Sequence, residues 1–514
     1  MKLIIISVLL FSIKTVLTDS TYKAAIIEYH PIQHNNSITY KELCKKNVEN
    51  YINLIKKAPQ LDIAVFPEAT ITTLTAFNHR QVLIDIAVEL PKLNKPSIKV
   101  NPCLSSLKND FPEYIKDISC AAKDLKTYIV INTVEKIVCE EDDEREVQKC
   151  TEKWNLYNTN VIFDRNGDVI KKYRKFNLFH EPQNCRPKNP EYVTFTTDFG
   201  VTFGTFICFD ILFEEPGEVL VRKLGVKHFV YPTMWFAEAP FLTALQMQDM
   251  WASGNNVTLL AANANDPKVG SGGSGIYQGL KGPRSFTIES NGSKLIVDDV
   301  YKNLNEANLI RKVDEDVDEI DRKGLERDGF RLIANNLKSY TSFEINGDVD
   351  KRVCHKNLCC HFKLKIDEVE SKKFHYKYRA LIFSGVRSFN GPINGGLEVC
   401  AISFCKDDTQ ESCGQRFIPY SKIDWVTTFK SIEITASTIK TQHKQHFPNT
   451  LLSSLEPISP QNFEFTQIDV NEKNVDLKMK LLTPESRLLT FGIYGRNFEL
   501  DNETPDQVYD KIEL

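Results

Sequence analysis

The chain has no surplus of positive charge, because 64 Lys and Arg residues stand against 68 Asp and Glu residues, for a net charge of −4. A protein that binds nucleic acid neutralises phosphates with such a surplus, so we expect no nucleic acid partner. Low-complexity segments are also lacking, and the hydrophobic fraction of 42% is that of a soluble globular protein. A globular chain of 514 residues is too long for one ordinary core, which predicts two domains.

The sequence also lacks an apolar run long enough to cross a membrane. Residues 3–13 are apolar and follow Met1 and Lys2, but a transmembrane helix needs about 20 such residues. The run instead predicts a signal peptide over residues 1–18, with Val16 and Thr18 at the small-residue positions before the cleavage point. We therefore predict a secreted protein with no transmembrane helix.

The carboxyl-terminal tail, residues 506–514, lacks the hydrophobic stretch that a glycosylphosphatidylinositol anchor requires, so we predict no GPI anchor. Its last four residues, KIEL, approximate an ER-retention signal, with Ile512 where Asp is expected. Chance explains this tetrapeptide at least as well. The ER lumen therefore stays an alternative location to the extracellular space.

The 13 cysteines divide evenly, with six before Cys208 and six after it. In an oxidising compartment this parity predicts disulfides within each half and one remaining thiol. Cys139 and Cys150 flank an acidic run, which we expect to be a solvated loop closed at its base. Residues 354–361 (CHKNLCCH) could form a zinc site, but disulfides are favoured in this setting, and we predict no metal.

Four Asn residues begin N-x-S/T sequons, which is consistent with passage through the secretory pathway. Asn35, Asn291 and Asn502 are predicted glycosylation sites. Asn256 is the least expected to carry a glycan, because residues 257–262 predict a buried strand and a glycan needs surface.

The chain changes character along its length. Strands and helices alternate in the first part, which predicts a layered α/β architecture. A charged stretch that is poor in aromatics follows, and we place the linker at residues 314–334. Residues 335–505 are rich in alternating strands and predict a second, β-rich domain.

Three segments of the first part bring reactive side chains to strand ends. Residues 201–209 are mostly β-branched and aromatic, which predicts a buried strand with Cys208 at its carboxyl end. Ligands gather at this edge of α/β sheets. Other apolar segments end near Glu68 and Lys175. Taken singly, these residues have plain alternatives: a structural cysteine, an acid at a helix start and a lysine on a solvated face.

The order Glu68, Lys175, Cys208 resembles that of the nitrilase superfamily of carbon–nitrogen hydrolases. Five motifs are similar to those of its vanin and biotinidase branch: YRKFNLF at 173–179, TFICFDILF at 205–213, YPTMW at 231–235, LAAN at 260–263 and GSGIY at 273–277. The resemblance implies a nitrilase-type αββα four-layer sandwich over residues 21–313. It also implies a vanin-type carboxyl-terminal domain over residues 335–505, where GIYGR at 492–496 is a weaker match.

The glycine-rich run 270–275 invites a phosphate-binding interpretation. No Lys-Ser or Lys-Thr pair follows it and no helix start is evident, so we reject that interpretation. Related proteins carry a similar Gly-Ser-Gly-Ile-Tyr run. The resemblance therefore favours a mobile loop near the site.

Amide hydrolysis needs a nucleophile, a proton acceptor and a group that stabilises the oxyanion. The resemblance implies that Cys208 is the nucleophile and that Glu68 accepts its proton. Lys175 and the backbone N–H of Phe209 are then expected to stabilise the oxyanion. We predict no cofactor.

Three further side chains are candidates for the substrate pocket. Many relatives place a second glutamate near the lysine, and Glu181 is the nearest candidate, although a surface acid is the plainer interpretation. Trp235 and Tyr277 are candidate pocket residues, with core aromatics under a loop as the alternative.

The expected partner is a small-molecule amide. The resemblance favours pantetheine, cleaved to pantothenate and cysteamine, over the amides of biotin. A hypothesis from another class is a secreted glycoprotein that keeps the scaffold without turnover. The chain is expected to be a monomer or a homodimer.

Overall fold

Residues 20–505 are described by a computed structural model, apart from residues 36, 74, 75, 77, 91–99, 106–110, 140–152, 308–315 and 390–392. The predicted signal peptide, the tail 506–514 and Cys150 therefore lie outside the described residues. Among the helices of the described part, none is both long enough and apolar enough to span a membrane.

The first half of the chain is built on two six-stranded mixed sheets, flanked by helices. Its helices are α1 Tyr40–Ile55, α2 Arg80–Ile86, α3 Glu113–Leu125, α4 Val219–Arg222 and α5 Ala244–Asn255. Its strands are β1 Thr21–Glu28, β2 Ile63–Val65, β3 Tyr128–Val138, β4 Trp154–Phe163, β5 Val169–Arg174, β6 Thr194–Thr196, β7 Thr202–Thr205, β8 His228–Thr233, β9 Glu238–Ala239, β10 Thr258–Asn263, β11 Ser274–Gln278, β12 Pro283–Thr287 and β13 Lys294–Tyr301. The strand orders are β13-β1-β2-β3-β4-β5 and β12-β11-β10-β8-β7-β6.

The two sheets face each other and bury their strands on both sides. Along β1, Ala24 and Ile26 point into the core between the sheets, whereas Ala25 and Ile27 point into the core beneath the helices. A strand covered on both faces has no polar face, which explains its continuous apolar run. Helix α5 packs against the outer face of the second sheet. The predicted αββα sandwich is confirmed.

The second half contains two five-stranded antiparallel sheets, with the orders β15-β18-β19-β24-β21 and β16-β17-β20-β23-β22. Its strands are β14 Ile333–Ala334, β15 Thr341–Ile345, β16 Val349–His355, β17 Leu358–Glu368, β18 Lys377–Ser388, β19 Asn394–Cys405, β20 Thr427–Ile439, β21 Lys444–Leu452, β22 Phe463–Asp469, β23 Asn474–Leu481 and β24 Leu488–Asn497. One apolar core lies between the sheets. The predicted β-rich second domain is confirmed.

The predicted linker contains a helix, α6 Val317–Glu326, which begins at the cap Asp316. Just after it, Arg327 pairs with Glu456 of the second half at 2.9 Å. Phe330 is buried and packs into the core of the second half. The segment is therefore anchored in part, and the domain boundaries stay predictions.

The glycine-rich run 270–275 differs from the expected loop, because Ser271–Gly275 is buried. The N–H of Gly273 donates to the buried carboxylate of Glu28 at 2.8 Å, and Ser274 opens β11. A Cβ on Gly273 would lie 2.9 Å from Cβ of Ala244, so glycine permits this close approach.

Four disulfides are described, each within one half: Cys103–Cys120, Cys354–Cys359, Cys360–Cys400 and Cys405–Cys413. Cys139 is also disulfide-bonded. The prediction of a single thiol is wrong, because Cys44 and Cys185 carry thiols as well as Cys208. Both are buried, and parity alone cannot separate such cysteines from bonded ones.

The adjacent residues Cys359 and Cys360 show why their disulfides differ. Successive side chains of a strand point to opposite faces, so one cysteine of β17 reaches Cys354 in the neighbouring strand. The other, fully buried, reaches Cys400 in the opposite sheet. The second bond joins the two sheets and spans 40 residues rather than 5.

We expect loss of the inter-sheet disulfide to destabilise the second half more than loss of the hairpin disulfide. The chain-entropy relation gives about 4 kcal/mol for a 40-residue loop and about 2 kcal/mol for a 5-residue loop. The comparison is between Cys360→Ser with Cys400→Ser and Cys354→Ser with Cys359→Ser, followed by thermal and denaturant unfolding. An equal or larger loss in the hairpin variant would contradict this account.

Candidate active site

Cys208 lies at a sharp turn rather than inside a strand. The strand β7 ends at Thr205, earlier than predicted, and Cys208 opens a short 3-10 turn, Cys208–Leu212. Its φ of +45° is a conformation that side-chain-bearing residues rarely adopt. The hydroxyl of Tyr231 donates to the carbonyl of Cys208 at 2.8 Å and helps to hold the turn. The thiol donates to the carbonyl of Met234 at 3.5 Å.

Lys175 lies between two carboxylates in the interior. It follows β5 directly, and its Nζ contacts Oε1 of Glu68 at 2.8 Å and Oε1 of Glu181 at 2.5 Å. The side chain of Lys175 is 2% exposed, and those of the two glutamates are 5% and 8% exposed. The structure therefore brings Glu181 into this cluster, whereas the sequence left a surface acid as the plainer interpretation.

Glu68 is held by two further donors. It lies three residues beyond β2, and its Oε2 accepts the N–H of Met234 at 2.9 Å. Its Oε1 accepts Nδ2 of Asn158 at 2.7 Å. Because Met234 also accepts from the Cys208 thiol, the carboxylate and the thiol meet at the same short segment after β8.

Asn158 binds both glutamates, although its sequence context did not single it out. Its Nδ2 also donates to Oε2 of Glu181 at 2.9 Å, and its Oδ1 accepts Nδ2 of Asn132 at 2.7 Å. Both Asn residues are 2% exposed, on the neighbouring strands β3 and β4. Buried amides inside apolar strands must find hydrogen-bond partners, and that was the signal available in the sequence.

Asp210 was also missed as a structural residue of the site. It accepts hydrogen bonds from the hydroxyl of Tyr173 at 2.7 Å, the N–H of Asn177 at 2.8 Å and the N–H of Ile207 at 3.0 Å. Tyr173 and Asn177 lie on either side of Lys175 in the chain, and Ile207 directly precedes Cys208. One buried carboxylate therefore ties the lysine segment to the cysteine turn. Burial raises the pKa of Asp210 to about 6.

Electrostatics in the cluster favour a neutral thiol beside a charged lysine. Burial raises the pKa of Cys208, and the negative charge of Glu68 raises it further, which outweighs the opposite effect of Lys175. Burial alone would lower the pKa of Lys175, but Glu181 and Glu68 more than offset this and raise it. The resting site therefore holds Cys208 as a thiol and Lys175 as an ammonium.

Two cavities meet at Cys208. The polar cavity has a volume of about 250 Å³ and is lined by Glu68, Ala69, Asn78, Asn158, Lys175, Phe179, His180, Glu181, Cys208, Met234, Phe236 and Val269. The apolar cavity is smaller, about 30 Å³, and is lined by Phe179, Cys208, Phe209, Leu212, Met234, Trp235, Phe236, Glu238, Leu242, Ile333 and Phe389. An amide bound at Cys208 has two arms, and the two cavities offer contrasting surroundings for them.

The candidate pocket residues divide between these cavities and the core. Glu181 lines the polar cavity and Trp235 the apolar one. Tyr277 is buried in the core, donates its hydroxyl to Gln248 at 3.0 Å and lines neither cavity. Phe209 follows Cys208 in the turn and lines the apolar cavity.

All four sequon asparagines are exposed: Asn35, Asn256, Asn291 and Asn502. The argument against Asn256 was the buried strand that follows it, and β10 is indeed buried. Asn256 itself, however, caps the end of α5 in a left-handed conformation and is accessible. The reason for ranking it below the other three is therefore removed.

Comparisons with known proteins follow the same division of the chain. The carbon–nitrogen hydrolase family profile matches residues 23–267, and the vanin C-terminal domain profile matches residues 330–501. A yeast (Saccharomyces cerevisiae) protein of branch 10 of the nitrilase superfamily has a structure similar to 55% of this chain and 90% of its own, with a TM-score of 0.42 and 19% identity.

Curated relatives match over most of the chain. Pantetheinase of Homo sapiens is 28% identical over 512 residues, which cover 96% of this chain and 93% of that protein. Biotinidase of Mus musculus is 29% identical over 433 residues, which cover 77% and 80%. Vanin-like protein 2 of Drosophila melanogaster is 34% identical over 500 residues, which cover 93% and 89%. The chain therefore belongs to the vanin family of carbon–nitrogen hydrolases, which act on carbon–nitrogen bonds other than peptide bonds.

Proposed function

We propose that this protein hydrolyses pantetheine to pantothenate and cysteamine through an acyl-thioester on Cys208. The observation that carries the proposal is the buried cluster in which Lys175 contacts Glu68 at 2.8 Å, beside a thiol that shares Met234 with the same glutamate. Such a cluster holds a proton acceptor, a cation and a nucleophile in one cavity. The similarity to pantetheinases over nearly the whole chain supports the choice of substrate.

The first step is proton transfer from Cys208 to Glu68. Because the resting thiol is neutral, it needs a base, and Glu68 is the carboxylate within reach. The sulfur then adds to the amide carbon, and the electrons of the carbonyl double bond move to oxygen. Forming the thiolate from an ordinary free thiol costs only about 2 kcal/mol at neutral pH. For Cys208 the cost is larger, because burial and the charge of Glu68 raise the pKa of its thiol, and a base in contact with the sulfur is needed.

The groups that bind the oxyanion lower the barrier to the tetrahedral intermediate. We assign this role to the ammonium of Lys175 and the backbone N–H of Phe209. Each such donor contributes roughly 3–4 kcal/mol when it is fixed in a site that excludes water. Glu181 keeps Lys175 charged and in place through the contact at 2.5 Å.

The tetrahedral intermediate collapses when its C–N bond breaks. Glu68 returns the proton to the leaving nitrogen, so the amine departs neutral and the acyl group stays on sulfur. Glu68 then takes a proton from water, and the hydroxide adds to the thioester carbon. The C–S bond breaks, the acid is released and Cys208 regains its proton.

We also propose that the protein acts outside the cell. Five described cysteine bonds, counting that of Cys139, and four exposed sequon asparagines support an oxidising compartment. Hydrolysis of biotin amides is the second candidate, since the biotinidase of Mus musculus is 29% identical over 77% of this chain, against 28% over 96% for the human pantetheinase.

Cys208→Ala is expected to abolish turnover while the fold is kept, because a small apolar residue replaces a buried thiol. Release of cysteamine from pantetheine measures activity, with biocytin run in parallel. Mass spectrometry of acid-quenched wild type is expected to find the acyl group on Cys208. The matched control is Cys185→Ala, which removes another buried thiol of the first half and is expected to remain active. Turnover by folded Cys208→Ala would end the assignment.

Lys175→Ala is expected to lower kcat by at least two orders of magnitude, because the oxyanion loses its cationic donor. Steady-state kinetics with pantetheine separate kcat from KM. A large rise in KM at unchanged kcat would make the lysine a substrate clamp and would remove its proposed role in the transition state.

Asp210→Asn is expected to lower kcat at pH 7 by about one to two orders of magnitude, because an amide offers one acceptor oxygen where four donors converge. The carboxylate pKa of about 6 means that wild type is ionised above pH 6 and loses an acceptor site below it. A pH profile from 5 to 8 is expected to fall below pH 6 in wild type and to lack this contribution in the variant. Wild-type kcat in the variant would refute the role of Asp210 as a positioning residue.

A further inference from the structure

The apolar cavity beside Cys208 is completed by the second half of the chain. Most of its wall comes from the first half, but Ile333 and Phe389 belong to the β-rich half and its connection. The ring of Phe389 lies 5.7 Å from that of Phe209 and 6.1 Å from that of Phe213. Aromatic rings at these distances pack edge to face and form a firm wall. The residue that follows Cys208 is therefore covered by a side chain about 180 positions further along the chain.

A buried ion pair fixes this wall. Arg387 near the end of β18 donates Nη2 to both carboxylate oxygens of Glu238, at 2.7 and 3.0 Å. The side chains are 2% and 11% exposed, and Glu238 lines the apolar cavity. The guanidinium also lies over the ring of Phe389, 4.6 Å from its centroid. Breaking the pair would leave an uncompensated buried charge, which is strongly unfavourable. The pair therefore keeps Glu238, Arg387 and the ring of Phe389 in place.

A short parallel ladder supports the same contact. Strand β14, Ile333–Ala334, pairs with β9, Glu238–Ala239. In this ladder the N–H groups of Ile333 and Asn335 donate to the carbonyls of Ala237 and Ala239, on either side of Glu238. The strand that carries Glu238 is therefore held by residues beyond the first half, as its carboxylate is by Arg387. Arg496 of β24 makes another contact between the two halves, since its Nε donates to the carbonyl of Leu212 at 2.6 Å.

The size of the apolar cavity limits what can enter. A volume of about 30 Å³ holds about two water molecules, so only a short group fits without movement of the wall. Apart from Cys208 and Glu238, the side chains that line it are apolar or aromatic. The cavity therefore suits a small apolar group attached next to the scissile amide.

We propose that this cavity binds the short apolar group that adjoins the scissile bond, and that Phe389 of the second half sets the upper size of that group. The inference rests on the proposed amide hydrolysis at Cys208. It makes Phe389 a specificity-determining residue and gives the β-rich half a direct part in substrate selection. Glu238 and Arg387 are positioning residues that act through Phe389.

The test compares two homologous series of amides. One keeps the pantothenoyl group and lengthens the amine from ethyl to butyl to hexyl. The other keeps cysteamine and lengthens the acyl group from acetyl to butanoyl to hexanoyl. Wild type is expected to show a steep fall in kcat/KM with length in the series whose variable arm enters the cavity. Phe389→Ala is expected to raise the long-to-short ratio in that series at least tenfold.

Phe389→Leu leaves a side chain of intermediate size in the wall and is expected to give an intermediate long-to-short ratio of kcat/KM. This variant keeps the test valid if Phe389→Ala does not fold. The matched control is Phe343→Ala, a partly buried Phe of the same half that packs into the core between its sheets. It is expected to keep the wild-type length profile. Arg387→Lys keeps the charge but loses the planar fork, and is expected to broaden the length profile in the same direction as Phe389→Ala.

Two failures are distinguishable. If wild type hydrolyses the short amides but Phe389→Ala and Phe389→Leu leave both length profiles unchanged, the role of Phe389 is overturned and the amidase proposal stands. If folded wild type hydrolyses no amide of either series and no pantetheine, the proposed function itself is overturned.

Discussion

The candidate active site depends on one buried cation shared by two carboxylates. Lys175 has lost almost all contact with water, and a lone ammonium in that position would be strongly disfavoured. Glu68 and Glu181 compensate for that loss, and Asn158 in turn donates to both. In the proposed mechanism the charge of this cation attracts the substrate carbonyl oxygen. Glu68, which helps to hold the cation, also lies beside the thiol of Cys208 through their shared contact with Met234. The geometry of the cluster thus follows from the requirement that no buried charge be left unpaired.

Much of this arrangement could be predicted because it rests on local patterns in the chain. The apolar patterns of the first part predict its alternation of strands and helices, of which β1 and α1 are examples. The ordered motifs around Lys175 and Cys208 led to the fold of the first half. The alternation of apolar and polar residues depends on neighbouring positions, and a single sequence therefore shows it directly.

The parts that could not be predicted involve contacts between distant residues. The apolar pattern predicts a strand that continues to Cys208, but hydrogen bonds with Tyr231 and Met234 hold a turn there. Glu238 binds Arg387, which lies 149 residues later in the chain, and the sequence of neither segment indicates this contact. Cysteine parity failed for a related reason, because a buried thiol such as that of Cys44 and a bonded cysteine look alike in a sequence.

The protonated state of Cys208 has a consequence for its chemical durability. Peroxides and disulfides react with thiolates far faster than with thiols, so a sulfur that keeps its proton at rest is a poor target for oxidants. The 5% exposure of the residue adds a steric barrier. In the proposed mechanism, reactivity is confined to the brief interval in which Glu68 holds the proton and an amide already occupies the space in front of the sulfur. A thiol of this kind can persist in surroundings where the cysteines of the second half are oxidised to disulfides.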